Sequence, residues 1–443
     1  MKKLRLAVTG LRQAGKTVFL TSLINFLLGN GMKDSAVFRR HGVTLRAKEL
    51  PLPGEGTAQR FSYEDYIEGF KQHPPRWPQR TKELSEFHLL VHMRSRRRRT
   101  KEYRLELVDY PGEQLIDLPM VNKTYEEWSD ERAIEARVGI REEMSRPYRQ
   151  ACEQLAESPP AEAGIKKQAA EQYRHYLLEG KRAGLHYLQP SGMLTEQSAQ
   201  DERLNFCPLP RKIRERAGGA AAEYAAKYEA YKREYLTNFA RVMMRCSHQV
   251  VLVDVLNILK SGVEAFNDAR RCFDSILEVY RYKKRYGRLI DLLAGLLFFR
   301  VSINRVSFVA TKADQATRAN RNNLRALLEE LVCSRHEYLR YDTAAGVGFF
   351  FAAAHRSTQD KIKEYNGREL SVLMGRHAEK GPDEERLYYP GEVPPEWPEQ
   401  WDPQEQAYRF GDFLPRALPG RDGAMFDNIN LDEVLWYMLG DHK

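Results

Sequence analysis

Cysteine is scarce in this chain. There are five in 443 residues, Cys152, Cys207, Cys246, Cys272 and Cys333, odd in number and without a C-x-x-C pair. That pattern excludes a disulfide framework and a zinc knuckle, and it fits a reducing, cytoplasmic setting. Long apolar runs are missing as well. The longest, residues 289–299, contains Asp291 and is well short of the roughly 20 residues needed to cross a bilayer; a buried helix is expected there. Two lysines at the N-terminus lead straight into a strand-like stretch, so no signal peptide is expected. No internal repeat and no low-complexity linker is visible. With 42% hydrophobic and 30% charged residues, the chain is globular rather than disordered. Its length suggests about two to three domains. The net charge of +9 suits an anionic membrane surface, nucleic acid or an acidic partner, against the plainer reading of a mildly basic solvated surface.

What is present is a phosphate-binding pattern. Gly10-Leu11-Arg12-Gln13-Ala14-Gly15-Lys16-Thr17 fits G-x-x-x-x-G-K-[ST]. A short apolar strand candidate, residues 4–9, precedes it. Residues 18–28, beginning at Val18, are apolar at helical spacing and end at Gly29-Asn30-Gly31. Strand, glycine loop and helix are the setting this pattern needs. Successive loop N–H groups and the positive end of a helix offer donors to a polyphosphate without reorganisation. Gly10 and Gly15 allow backbone angles and close approach that a side chain blocks. Lys16 is expected to reach the β- and γ-phosphates, and Thr17 to place its hydroxyl on Mg²⁺.

Two further patterns follow in order. A hairpin of apolar strands, residues 87–93 and 103–109, encloses a very basic turn, residues 94–101. It ends in Asp109-Tyr110-Pro111-Gly112-Glu113. An acid at a strand end followed by D-x-x-G is the second half of a nucleotide switch: Asp109 holds Mg²⁺ through water, and the Gly112 N–H senses the γ-phosphate. Later, an apolar strand ends in Thr311-Lys312-Ala313-Asp314. The Asp314 carboxylate can accept from both the ring N1–H and the exocyclic amine of guanine, a donor pair adenine lacks, while the Lys312 stem packs on the base. A buried strand, residues 346–351, then runs into Ala352-Ala353-Ala354-His355, where the Ala354 N–H is a candidate donor to the guanine O6; a plain strand exit reads equally well. Residues 431–439 form a closing amphipathic helix.

On these residues, together with Arg409-Phe410-Gly411-Asp412-Phe413-Leu414-Pro415, the sequence resembles the G domain of a P-loop GTPase, and more closely the bacterial YcjX-like family of stress-associated GTPases. The resemblance implies an α/β P-loop fold: a mostly parallel sheet with one hairpin, carrying large helical insertions in a Gα-like arrangement. It implies GTP or GDP with Mg²⁺ as the bound species. It makes Thr81 the switch threonine on the metal and puts Arg80 where such proteins keep a transition-state arginine. The sequence departs from small GTPases in three places. Arg12 and Gln13 replace glycines, whose bulk argues against an arginine finger from a separate protein. Glu113 stands where a glutamine usually orients water. His355 replaces a lysine.

The spacings place the extra material. Residues 1–117, 246–358 and 421–443 are expected to make the GTPase domain, with a helical segment at 257–300. Residues 118–245, rich in good helix formers, form a helical insertion, and 359–420 a loop-rich one. The function expected is GTP hydrolysis by a nucleotide-dependent switch. The alternatives are a GTP-binding scaffold with little turnover, and an ATPase. A protein effector at the helical insertion and peripheral contact with the inner membrane through the basic hairpin are the further partners considered. With no aromatics interleaved in residues 94–101, specific nucleic-acid binding is not expected.

Overall fold

The computed structural model describes residues 1–29, 35–53, 58–78, 84–96, 100–110, 112–157, 163–195, 198, 200–281, 303–333, 346–380, 384–401, 408–420 and 423–440. The apolar run 289–299 lies outside them. The chain forms two compact units.

The first unit comprises Met1–Gly112, Arg245–Lys260 and Ser302–Lys443. It is built on a sheet of β1 (Lys2–Gly10), β2 (Val43–Leu50), β3 (Gln59–Arg60), β4 (Ser85–Ser95), β5 (Thr100–Asp109), β6 (His248–Val253), β7 (Arg305–Ala310) and β8 (Gly346–Phe351). The order is β2-β4-β5-β1-β6-β7-β8, with β3 pairing β4. The β5, β1, β6, β7 and β8 strands are mutually parallel, whereas β4 runs antiparallel to β2 and β5 and parallel to the short β3. The central β6, His-Gln-Val-Val-Leu-Val, is buried along its whole length, as a parallel strand covered on both faces must be. The mostly parallel sheet and its helices bear out the α/β P-loop class expected from the sequence.

Strand order reverses at β1: the chain lays β2 to β5 on one side and β6 to β8 on the other. In open α/β sheets, ligands bind outside the carboxyl ends of the strands at such a point. One face of the sheet packs on helix α1 (Lys16–Leu28) and on the C-terminal helix Leu431–Leu439, joining Leu4, Leu6 and Val8 to Phe19, Leu23, Ile24, Val434 and Leu435 in one core. The opposite parity of β1, β4 and β5 carries a buried charge knot. Arg5 pairs with Glu86 and, at 2.9 Å, with Glu106, and His88 sits 2.9 Å from Glu86. Glu86, His88 and Glu106 converge closely enough to hold a metal ion. Lys3 and Arg104 also pair with Glu106, so the cluster is neutralised by protein cations.

The stretch around residues 359–420, expected as a loop-rich insertion, contains a second sheet: β9 (Thr358–Tyr365), β10 (Arg368–Gly375) and β11 (Arg386–Tyr388), antiparallel in the order β11-β10-β9. Asn366 and Gly367 both take positive φ at the β9–β10 turn.

The second unit comprises Glu113–Met244 and Ser261–Val301. Residues 257–300, expected within the GTPase core, therefore divide. Helix Val255–Ser261 lies almost wholly in the first unit, while helix Val263–Arg281 joins the helical one. The helical core is rich in aromatics, with Trp128, Tyr148, Tyr173, Tyr224, Tyr228 and Tyr231 all but fully buried. The phenols find acceptors, as buried hydroxyls must: Tyr173 donates to the Gln189 carbonyl at 2.6 Å, and Tyr231 to Asp117 Oδ2 at 2.7 Å. Asp268 ties the two inserted segments together. It pairs with Arg141 and accepts from the His186 and Tyr187 N–H groups at 2.5 and 2.8 Å. Among the described residues no helix is long and apolar enough to cross a membrane.

Candidate functional site

The loop between β1 and α1 is shaped by its glycines. Gly10 has φ +155°, and a Cβ there would sit 2.4 Å from the Leu252 carbonyl of neighbouring β6. The Leu11 N–H donates to that same carbonyl at 3.1 Å, so close approach of two backbones excludes any side chain. Gly15 caps α1 in the left-handed region at φ +80°, and a Cβ there would meet nothing within 4 Å. Its requirement is conformational, and the space beside it is open. Gln13, exposed, also takes positive φ, +60°, a conformation non-glycine residues adopt uncommonly. Lys16 and Thr17 occupy the first turn of α1, and the Thr17 carbonyl accepts from Thr21 at 2.8 Å. Ala14 is fully buried beneath the loop, and Val18 packs towards Phe70, Leu418 and Phe426. Arg12 is half-buried, and the loss of water lowers its pKa.

The other motif residues fall on the same edge of the sheet. Asp109, 1% exposed, ends β5 opposite Val8 of β1. Gly112 opens the short helical stretch Gly112–Asn122. The Glu113 side chain, and Arg80 and Thr81 altogether, lie outside the described residues. On the far side, the Thr311 N–H donates to the Val253 carbonyl at 2.9 Å, and the Ala313 N–H to the Ala352 carbonyl at 3.2 Å. These bonds lock the β6, β7 and β8 ends into one layer.

Lys312 adopts φ +57° and pairs with Asp254 at 2.6 Å; that carboxylate holds its ammonium above the usual pKa against the cost of burial. Asp254 follows β6 directly and also accepts from the Asn257 N–H at 3.0 Å, capping helix Val255–Ser261. Asp314 is 2% exposed. Its Oδ2 accepts from both the N–H and the hydroxyl of Ser357, each at 2.7 Å, and its carbonyl accepts from the Thr358 hydroxyl. The strand exit is pinned to α1, because Ser22 donates to the Ala354 carbonyl at 2.5 Å.

His355 behaves differently from the sequence expectation. Its ring is buried edge-on against Phe70 and Phe426 and lies 2.7 Å from the Arg416 carbonyl; burial lowers its pKa. The imidazole belongs to the core, leaving only its backbone for a ligand. Three site residues escaped the sequence reading: Asp254, Ser357 and Ser22. Only Asp254, an acid at the end of an apolar strand, carried a local signal.

The arrangement fits a polyphosphate nucleotide with a divalent cation. Lys16 and Thr17 begin a helix behind an open glycine cradle, Asp109 supplies a buried carboxylate at the adjacent strand end, and Asp314 is a carboxylate with one oxygen already fixed. These features define a P-loop GTPase-like fold. The model of the YcjX-like family (DUF463) matches residues 4–442, and the chain belongs to that family. It is 30% identical over 462 residues to the Ras-like GTPase YcjX of Escherichia coli (strain K12), covering 99% of this chain and 96% of the relative. Against the Ras-like GTPase YcjX of Shewanella oneidensis (strain MR-1) it is 28% identical over 473 residues, with 99% and 94% covered.

Proposed function

We propose that the chain binds guanine nucleotide with Mg²⁺, hydrolyses GTP to GDP and acts as a nucleotide-dependent switch. The observation that carries this is the meeting of three distant motifs on one sheet edge, with the Asp314 carboxylate fixed by Ser357 beside the strand exit that Ser22 ties to α1. The names of the relatives support the same reading.

Lys16 neutralises the β- and γ-phosphates, and Thr17, Thr81 and Asp109 hold Mg²⁺, directly or through water. Gly10, Arg12, Gln13, Ala14, Gly15 and Val18 line the phosphate loop. Gly112 senses the γ-phosphate. The free oxygen of Asp314 selects guanine while Thr311 and Lys312 pack beside the base, and Ala354 and His355 offer backbone N–H groups to its carbonyl. Arg80 and Glu113 are assigned to the chemical step, and bound Mg²⁺ would supply charge neutralisation there.

GTP turnover with Mg²⁺ is the test. Product formation abolished in Lys16→Ala and Thr81→Ala supports the hydrolase, and tight binding without product supports a scaffold. ATP displacing labelled GTP as well as GTP does refutes the guanine assignment.

A further inference from the structure

The β9–β11 sheet segregates its charge by face. Alternation along β9 and its register on β10 put Asp360, Glu364 and Glu369 on one face, and Lys361, Lys363 and Arg368 on the other. Only the base of the acidic face is turned to the body of its unit; towards the turn, Ile362, Glu364 and Glu369 on that face are exposed. Asp360 pairs with Arg321 at 2.7 Å and Arg356 at 3.0 Å, and Tyr388 packs edge-on against Phe413. On the other face Val372, opposite Lys361, is buried, and the surface opens to solvent from there to the turn. Its three cations are exposed, and among the described residues none of them makes an ion pair. Tyr365 at the turn and Leu387 on β11 share that face, 60% and 48% exposed. Every acidic side chain within the three strands is on the opposite side.

We propose that this face docks on an anionic lipid leaflet. The cations are spread along the two-stranded β9–β10 ribbon, beyond the reach of β11, rather than gathered in a groove. Lysine stems can lie along the surface while their ammonium groups reach head groups, and a tyrosine suits the interfacial layer. Single-stranded nucleic acid fits less well, since one ring alone stands among the cations and successive bases would find no stacking platform. Each basic group near an anionic leaflet contributes about fivefold in affinity, so three contribute about a hundredfold. The surface does not draw on the nucleotide site, and none of its residues belongs to it.

Co-sedimentation of the full chain, without nucleotide, with vesicles of phosphatidylcholine alone and of phosphatidylcholine with phosphatidylglycerol tests this. The expected result is binding to the phosphatidylglycerol vesicles only, weakened by salt, retained in R94E/K101E and reduced at least about a hundredfold in K361E/K363E/R368E. Equal binding by wild type and the triple variant overturns the proposal. So does dependence on Arg94 and Lys101 alone, absence of vesicle binding, or binding to single-stranded DNA in place of vesicles. An unchanged Tm shows that the triple variant is folded. If it does not fold, Lys363→Glu alone takes its place, with an expected loss of about fivefold or more; no loss there is equally fatal. Because no nucleotide is present, failure here and failure of the GTP reading are separate outcomes.

Discussion

Replacing Asp314 by asparagine should invert the preference for the base, for a reason of geometry. Oδ2 accepts from the Ser357 N–H and hydroxyl, both at 2.7 Å. A backbone N–H cannot become an acceptor, so that slot demands an oxygen. In Asp314→Asn the amide oxygen must take it, and the amide NH₂ is forced into the position of Oδ1. That position is the one assigned to the guanine N1–H and exocyclic amine, so donors then face donors. Hydrogen bonds to a charged group contribute about 1.5–3 kcal/mol each, and losing two predicts a fall in GDP affinity of about 10²- to 10⁴-fold. A purine with a carbonyl in place of the exocyclic amine presents an acceptor there, so xanthosine diphosphate should recover most of the loss. Equilibrium titration of wild type and variant with labelled GDP and XDP measures both. GDP binding unchanged by the substitution, or a GDP loss with no gain for XDP, refutes the reasoning.

Three further outcomes follow from packing and charge. Gly15→Ala should cost about 1–2 kcal/mol, since only its left-handed backbone is penalised, whereas Gly10→Ala adds a collision with the Leu252 carbonyl and should cost clearly more; thermal unfolding ranks them. Burial pushes Asp117 up to about 7 against its bonds from Ser191 and Tyr231. A carboxyl raised in the folded state contributes stability fully present below its unfolded pKa and lost as pH rises through the folded one. The expected loss therefore falls between about pH 4 and 7 and amounts to roughly 4 kcal/mol at most. Asp117→Asn should flatten that part of the Tm-against-pH curve. Removing one partner of the buried Arg141–Asp268 pair, as in Asp268→Asn, should cost about 3–5 kcal/mol, and replacing both by apolar residues of similar size should not recover it, because the His186 and Tyr187 N–H groups then lose their acceptor and Glu135 loses its pairing with Arg141; urea titration of the single and double variants compares them.

The phosphate loop, the Asp109 strand end and the Thr311-Lys312-Ala313-Asp314 exit were legible because each is a local pattern whose chemistry needs those residues side by side. Ser357, Ser22 and the Lys312–Asp254 pair were not, because they depend on strands and a helix that meet only in the folded chain. That the helix Val263–Arg281 groups with the helical unit is not legible for the same reason: its buried partner, Arg141, is 127 positions from Asp268. The hairpin of β9 and β10 is hidden within a stretch that reads as loop-rich because charged residues lie on both faces. Asn366-Gly367 was the signal that could have found it, as the pair is a common two-residue hairpin turn.

The separation of Arg141 from Asp268 bears on how the molecule is made. At about 5–20 residues per second, the ribosome needs roughly 6–25 s to deliver the carboxylate after the guanidinium. Until then the nascent helices hold Arg141 with Glu135, 3.3 Å away, but without the carboxylate of Asp268. Strands β7 and β8 emerge later still, after the second inserted segment is complete. Neither unit can be finished while the other waits, so a transcript truncated after residue 260 should yield two half-built bodies rather than one sound one.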